Sequence, residues 1–502
     1  MDRKLRYAYG FLILLMLSTV LPSRAEQSAD QAVKMELSLQ QCISLALESN
    51  LNIRIQRISP HIMGALLTMA KGAFDPSMTL EPSASRSEEP SSTPSLSGAD
   101  IRSSSNRGIN LGISDSVVTG GYYGLYFDSS RSKSNSTLQT LNPAYHSSLS
   151  LNLTQPLLEG FGIGVNKASI VIAKNNQDIS LLSLKSQLIG TLSEVQKSYW
   201  ELVFALESLK VQQLALKQAQ DLLAINQRFK EMGKASISDV LQAQSAVASR
   251  EADVIAANDT VKDAEDNLKR ITNIIQDETR WQASIIPVDA PSLEKLEADL
   301  DESIATALEN RPEYNQAKLD LQNNDISIKV AQNGKLPILD LEGSYSLNGL
   351  GGEMGDPFSQ VGKADYKSWY LGLVLRMPIG RRVAKSSLKK SQLEKEQQLL
   401  FLKELEQQII AETRGAVRQL ETDEKRIEAT KAAEEFAKQV LVTEERKHKL
   451  QLSTSYELLQ FQASLATATR SHLRAIIDYR KSIVSLYQAI GITLEKLNVE
   501  LE

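Results

Sequence analysis

A chain of 502 residues could bury several globular cores, but sustained heptads argue for an elongated shape instead. The formal charge is −5, and the first 25 residues contribute +3 (Arg3, Lys4, Arg6 and Arg24 against Asp2), so the remainder is near −8, which argues against nucleic acid as a partner. Cys42 is the single cysteine, so no internal disulfide can form; past the first 25 residues no uncharged apolar run is long enough for a spanning helix, so a membrane crossing must use strands.

Met1 to Ala25 has the form of a secretory signal peptide, with a basic start, an apolar core from Phe11 to Leu17 and a small-x-small cut at Ser23-Arg24-Ala25. The alternative is a retained anchor, for which the uncharged stretch from Tyr7 to Ser23 is slightly short. No cysteine stands at the cut, so no amino-terminal lipid is expected. Residues 26–36 are polar and expected to be loose. Residues 37–73 form the first helical segment: Leu39, Ile43, Ala46 and Leu47 make an apolar stripe, Ser49-Asn50 is a polar stop, and Pro60 is expected to interrupt or kink the helix. Cys42 fits there as a small buried residue.

Over residues 74–160 charge falls, Ser and Gly rise, and the period becomes two. Met78 and Leu80, Ile109 to Ile113, and Leu149 to Leu153 alternate with Ser, Thr, Asn and Gly, giving one apolar and one hydroxyl- or amide-lined face. Tyr122, Tyr123, Tyr126, Phe127 and Tyr145 gather as girdle aromatics would; 87–105 and 130–143 are long polar loops, whereas 118–122 is a tight turn. That asymmetry is the outer-membrane barrel pattern, and a soluble β-sandwich with one wet face is its alternative. Pro156 ends the last strand, and Gly160 and Gly162 permit a bend into the next helix.

Residues 161–278 read as a long helical hairpin. Leu188, Leu192, Val195, Tyr199, Leu202, Leu206 and Leu209 make a heptad seam on the approach, and Val240, Val247, Val254, Val261 and Leu268 recur every seven residues on the return. Between them Gly233 can stop a helix, and Ser236 or Ser238 can cap the next ahead of Asp239. At 1.5 Å per residue the approach rod would be about 100 Å long. The shorter return helix could cover only part of it, leaving the first helical segment to stack end to end and cover the rest.

Residues 279–299, with Pro287 and Pro291, are a connector, after which the chain starts again. Residues 300–335 repeat the first helix and 336–381 a strand pair (Pro337 to Leu347, Tyr366 to Arg376), in which Trp369, Leu371, Leu373 and Leu375 alternate. Residues 382–492 repeat the hairpin, and 493–502 are a tail. Pro337 follows Pro76 by 261 positions, but Pro378 follows Pro156 by only 222. Repeat one therefore carries 39 extra residues, all in its strand region. The second approach helix is highly charged, with a weak seam, and reads as helix by length and by the repeat. The second tip, Gln451 to Gln462, follows the first by 218 positions.

Taken together, the paired LxxxIxxALExN starts, the strand-to-rod junctions at Pro156 and Pro378, and the tips GKASISDVLQAQ and QLSTSYELLQFQ resemble the TolC family of outer-membrane efflux proteins over nearly the whole chain. The resemblance implies a mainly α fold with a transmembrane β-barrel portion: two tandem repeats of helix, strands and long helical hairpin in a TolC-like trimeric α/β barrel. It implies a homotrimer in outer-membrane lipid, with four strands per protomer in a twelve-stranded wall. Four strand-like segments in repeat one keep six per protomer, eighteen in all, as the alternative. Neither four nor six closes a barrel, since about eight are needed, so copies must share the wall; the number three comes from the resemblance. It also implies a periplasmic tunnel whose tip stays closed until a periplasmic adaptor (membrane fusion protein) and an inner-membrane pump engage it, in drug, metal or protein export.

The family closes its mouth with paired acids at the second tip, of which only Glu457 stands here, Gln460 replacing the other. Glu457 is thus the constriction candidate; the competing reading is that, like Asp239, it sits in a helix first turn and favours the dipole. Gln451 stands where the family often has Gly, and Ser453 where some members have a locking Arg, so Arg446, Lys447 and Lys449 are other lock candidates or a solvated face. Gly233, Ser236, Asp239, Gln451, Ser453 and Thr454 mark the expected adaptor-docking tips, which could instead be plain helix turns. His61, His146, His448 and His472 are scattered and form no metal or catalytic pattern, so no enzyme, cofactor or metal is expected. The competing overall reading is a non-channel extracytoplasmic coiled-coil or adaptor protein.

Overall fold

The computed structural model describes residues 34–92, 94–274, 281–291 and 295–500. The signal-peptide reading and the first part of the 26–36 segment lie outside these residues. In repeat one the principal elements are β1 (Lys34–Leu37), α1 (Leu39–Ser49), α2 (Leu51–Lys71), β2 (Ser77–Pro90), β3 (Ile101–Ser116), β4 (Tyr122–Ser134), β5 (Ala144–Pro156), α3 (Ala168–Glu231) and α4 (Ile237–Ile271). Repeat two follows with β6 (Ser284–Pro287), α5 (Leu300–Asn310), α6 (Pro312–Asn333), β7 (Ile338–Gly351), α7 (Gly355–Lys363), β8 (Tyr366–Arg376), α8 (Arg382–Lys449) and α9 (Ser455–Ile490).

Residues 34–37, at the end of the expected loose segment, and residues 284–287 of the connector are strands. β1 pairs in parallel with β6, and Leu37 and Ile285 are buried between them and the rods. The helix after β1 is held by a capping box, in which the Gln41 N–H donates to Ser38 Oγ at 3.2 Å and the Ser38 N–H to Gln41 Oε1 at 2.8 Å. It buries Cys42, Ile43 and Ala46, and burial pushes the Cys42 thiol up to about 12, as suits an inert packed cysteine. The break falls at Asn50, whose side chain caps α2 and donates to the Ile271 carbonyl at 2.7 Å. Pro60 lies buried inside α2 rather than ending it, so the expected interruption is corrected: packing against α3 holds the turn that Pro leaves one hydrogen bond short.

The long helices are single rods. α3 has 64 residues and α8 has 68, each therefore about 100 Å long. Each packs against its own return helix and against the short helix before its strands, α2 on α3 and α6 on α8. Along α3 the expected seam is buried from Leu188 to Leu202, with Leu206 and Leu209 half-buried. In α8 the weak apolar pattern still yields a buried line, Ile409, Val417, Leu420 and Ile427, against Ala475, Tyr479 and Leu486 of α9.

Among the described residues six strands form one antiparallel sheet in the order β2-β3-β4-β5-β7-β8. The four-strand expectation is therefore corrected to six. The 39 extra residues supply the hairpin β3–β4, slotted between the strands that match β7 and β8. Its tight turn docks on the strand-to-helix bend: the Gly162 N–H donates to the Thr119 carbonyl at 3.0 Å, and a Cβ on Gly120 (φ +94°) would lie 2.1 Å from the Gly160 oxygen. Only Gly fits so close a backbone approach. Unbroken registers align one apolar face across all six strands, for example Met78, Ile113, Leu125, Leu151, Tyr345 and Trp369. Leu371, Leu373 and Leu375 continue it, each about two-thirds exposed (65%, 64% and 66%). The other face carries Ser, Asn, Gly and Tyr126, whose ring lies over Gly112 and Gly124. β2 and β8 are open edges, so the sheet of one chain does not close.

Candidate functional site

The two hairpin tips lie together at the end of the rods farthest from the sheet, and they are built alike. At the first tip α3 ends in a Schellman turn: the Gly233 N–H bonds the Lys230 carbonyl and the Lys234 N–H the Phe229 carbonyl, at 3.0 and 2.8 Å. At the second, Gln451 and Leu452 donate to His448 and Lys447 at 3.0 and 2.9 Å. Both turns need a left-handed residue. Gly233 takes it at φ +71°, and Gln451, 218 positions later, takes it at φ +60° against the steric cost of its Cβ.

Each return helix opens with a capping box. Asp239 Oδ2 accepts from the Ser236 N–H at 2.9 Å and from Ser236 Oγ at 2.7 Å. Glu457 Oε2 accepts from the Thr454 N–H at 3.0 Å, from Thr454 Oγ1 at 3.1 Å and from Ser453 Oγ at 3.0 Å. The Thr454 backbone hydrogen bond, then those from Ser453 and Thr454, hold the Glu457 carboxyl below its ordinary range. Within the single chain the Glu457 carboxylate is therefore a helix cap, and it is exposed. Pro156 is the last residue of β5 and Pro378 follows β8; both stand at the far end, where strand gives way to rod. The lock candidates do not converge: Lys447 pairs with Glu444 of its own helix at 3.1 Å, and Arg446 and Lys449 make no ion pair among the described residues. His472 packs in the seam, Nδ1 3.3 Å from Thr430 Oγ1.

What joins the two hairpins is a buried polar node that the sequence reading missed. Asn226 of α3, 1% exposed, donates from Nδ2 to the Asp239 carbonyl at 3.2 Å, and its Oδ1 accepts from Ser455 Oγ at 3.1 Å. Ser455 Oγ also lies 3.3 Å from His448 Nε2. One node thus touches both long helices and both return helices. Its signal was available: Ala215, Ala219, Leu222 and Asn226 take the seam up again, one position out of register with Leu209, in steps of 4, 3 and 4, and an Asn on an apolar seam fixes register. Beside it a groove of about 600 Å³ opens between the hairpins, lined by Leu222, Ile225, Phe229, Met232, His448 and Leu458. Midway along the rods Glu201 receives Lys481 at 2.6 Å and Arg474 at 2.7 Å; burial raises its pKa, but the two cations outweigh burial and hold it low.

This architecture is shared. The model of the outer membrane efflux protein family matches residues 124–273 and 303–492. The chain is 24% identical over 340 residues to nodulation protein T of Rhizobium leguminosarum bv. trifolii, covering 65% of this chain and 68% of that one. It is 24% identical over 317 residues to the outer membrane protein TolC of Vibrio cholerae, covering 61% and 69%. Among solved structures, the Campylobacter jejuni CmeC outer membrane channel superposes with a TM-score of 0.67 at 16% identity over 98% of both chains. The Neisseria gonorrhoeae MtrE outer membrane channel, in its open state, gives 0.64 at 19% over 94% and 95%. Two strand-bearing repeats, two hairpins of matched build and a family match over most of the sequence lead to one conclusion: this chain belongs to the outer membrane efflux protein family, a family of channels rather than enzymes.

Proposed function

We propose that the protein is the exit duct of a tripartite efflux or type I secretion system, a passive conduit through the outer membrane that is opened by a periplasmic adaptor and an inner-membrane pump. The observation that carries this reading is a sheet with one continuous apolar face and two open edges, joined to paired rods. In lipid an unpaired edge is not tolerated, so further copies complete the wall. Three copies, the number the family resemblance implies, give eighteen strands at six each, a count known to leave an aqueous lumen. The groove between the hairpins and the exposed Met232 and Leu452 are the docking surface for the adaptor's own helical tips.

Glu457, repeated once per copy, gives the mouth a negative field that favours cations. The test reads purified protein in planar bilayers, with mass measured in detergent. A trimeric mass with cation-selective conductance is expected, and a water-soluble monomer without conductance overturns the duct. Glu457→Gln should shift the reversal potential toward zero selectivity. Asp239→Asn, which disturbs the equivalent cap at the first tip, should not, and equal shifts for both variants would refute a mouth role for Glu457.

A further inference from the structure

The apolar face of the sheet does not fade into neutral loop at its far rim; it ends in cations. On β3 the outward series Ile113, Leu111, Ile109 is followed by Arg107, and on β4 Leu125, Phe127 and Ser129 lead to Arg131 and Lys133. On β8 the series Leu375 to Trp369 stops at Lys367, and on β2 Arg86 closes the run. In register these cations step across the sheet along the sloping edge of the apolar band, as expected for tilted strands. The opposite rim, next to the rods, carries Asp115 on the same face of β3.

Two observations say that this rim is incomplete without an anion. Arg107 and Arg131 are direct cross-strand partners, an arrangement that is destabilising for like charges. Moreover, Arg107, Lys133 and Lys367 make no ion pair among the described residues, while Arg86 pairs with Glu88 at 2.5 Å. Of the acids at this end of the sheet, which include Glu89, Asp100, Glu353 and Asp365, none but Glu88 forms an ion pair with a rim cation among the described residues, and Asp356 accepts from the Glu353 N–H at 3.1 Å. Arg131 is preorganised: its Nε donates to the Tyr145 hydroxyl at 3.3 Å and its guanidinium lies 5.9 Å from the Tyr145 ring. An aromatic and a row of cations bordering an apolar band suit a lipid headgroup with negative charge. Beside them α7 lies across the same face, Phe358 against Phe127 with 5.7 Å between ring centroids, and it ends in the exposed Lys363.

We propose that this rim, centred on Arg107, Arg131 and Lys133, binds the phosphorylated headgroup of an acylated glycolipid in the outer leaflet. The proposal rests on the barrel reading above, because it needs the apolar face to meet lipid. Phosphates between Arg107 and Arg131 relieve their repulsion, and the acyl chains lie along Ile109, Leu111 and Phe127.

The test titrates the full-length, detergent-solubilised protein with bis-phosphorylated lipid A, with the same lipid A stripped of its phosphates, and with inorganic phosphate, bound lipid being read by native mass spectrometry. With about fivefold per cation at a surface, removing three cations weakens binding on the order of 100-fold. The R107Q/R131Q/K133Q variant should therefore lose that much affinity for the phosphorylated lipid while keeping its oligomeric mass and conductance. K133Q alone, at an exposed position and safe to fold, should lose about fivefold. R102Q, on the polar face at the same end, should lose none. Equal affinity for the two lipids, or unchanged binding in K133Q and the triple variant, overturns the proposal. Displacement of the lipid by inorganic phosphate overturns the lipid as the source. A wild-type protein that shows the lipid contrast but no conductance defeats the duct and leaves the rim standing.

Discussion

Replacing Asn226 tests whether the node is what holds the two hairpins together. Asn226→Ala removes two side-chain hydrogen bonds, to the Asp239 carbonyl and from Ser455 Oγ, at a position only 1% exposed. Ser455 keeps His448 as a partner, and the Asp239 carbonyl, part-buried in the first turn of α4, keeps its helix bond but loses the side-chain donor that ties it to α3. A neutral hydrogen bond contributes about 1 kcal/mol. Opening the tips should therefore become easier by about 2 kcal/mol, roughly 30-fold in local opening equilibrium. Global melting is the wrong probe, because rods this long open locally. The assay is native-state hydrogen exchange over 229–240 and 447–458, with the segment around Leu188 to Leu202 as internal reference. Faster exchange confined to the tips is expected, and in planar bilayers a larger resting conductance should accompany it. Unchanged tip exchange, or equal acceleration along the whole rod, would show that the node is incidental and that apolar packing alone holds the tips.

Gln451→Gly relieves the left-handed backbone of a side-chain residue, so the second tip should gain about 1 kcal/mol, read as slower exchange at 450–453; a loss would mean that the Gln451 side chain makes a contact worth more than the strain. Gly120→Ala forces a Cβ onto the Gly160 oxygen and should block docking of the inserted turn, giving assembled protein that loses its oligomeric band at lower temperature on gels than the wild type, whereas Gly164→Ala, where a Cβ meets nothing, should behave as wild type. Glu201 has a folded pKa held below its ordinary 4.5 by Lys481 and Arg474, so its contribution is present above pH 4.5 and fades as pH falls through the lower folded value. Melting of the Glu201→Gln variant should therefore be flatter with pH below 4.5 than that of the wild type, and parallel acid profiles would remove Glu201 from the account.

The rods were legible because a heptad is a local code: each of Leu188, Leu192, Val195, Tyr199 and Leu202 declares its face by spacing alone, and all five are buried. α8 shows the limit of that code. Its charged surface diluted the seam, and only the repeat identified it as a partner for α9. The strands were found one by one from alternation, yet four or six in the sheet stayed open, because alternation describes a strand and says nothing of its neighbours. Pro60 misled in the same way, since a local breaker was overridden by the surface it packs on. At the tips the caps Ser236 and Thr454 were in reach from short-range rules, and the structure makes both Asp239 and Glu457 the reciprocal acids of capping boxes. Asn226 was readable as a polar residue on the seam, but its contact with Ser455 was not, the two being 229 residues apart in sequence.

By itself, then, the sequence determined what neighbouring residues decide: the helical and strand character of the main segments, the duplication, and the two tips. Tertiary structure alone decided what depends on distant segments meeting. It placed the β3–β4 hairpin inside the sheet instead of outside it, stitched β1 to the connector, and brought Asn226 onto Ser455. The physical reason is the range of the forces. Periodicity and caps act within one or two turns, whereas sheet order and buried polar contacts exist only once the long rods have fixed their register against each other.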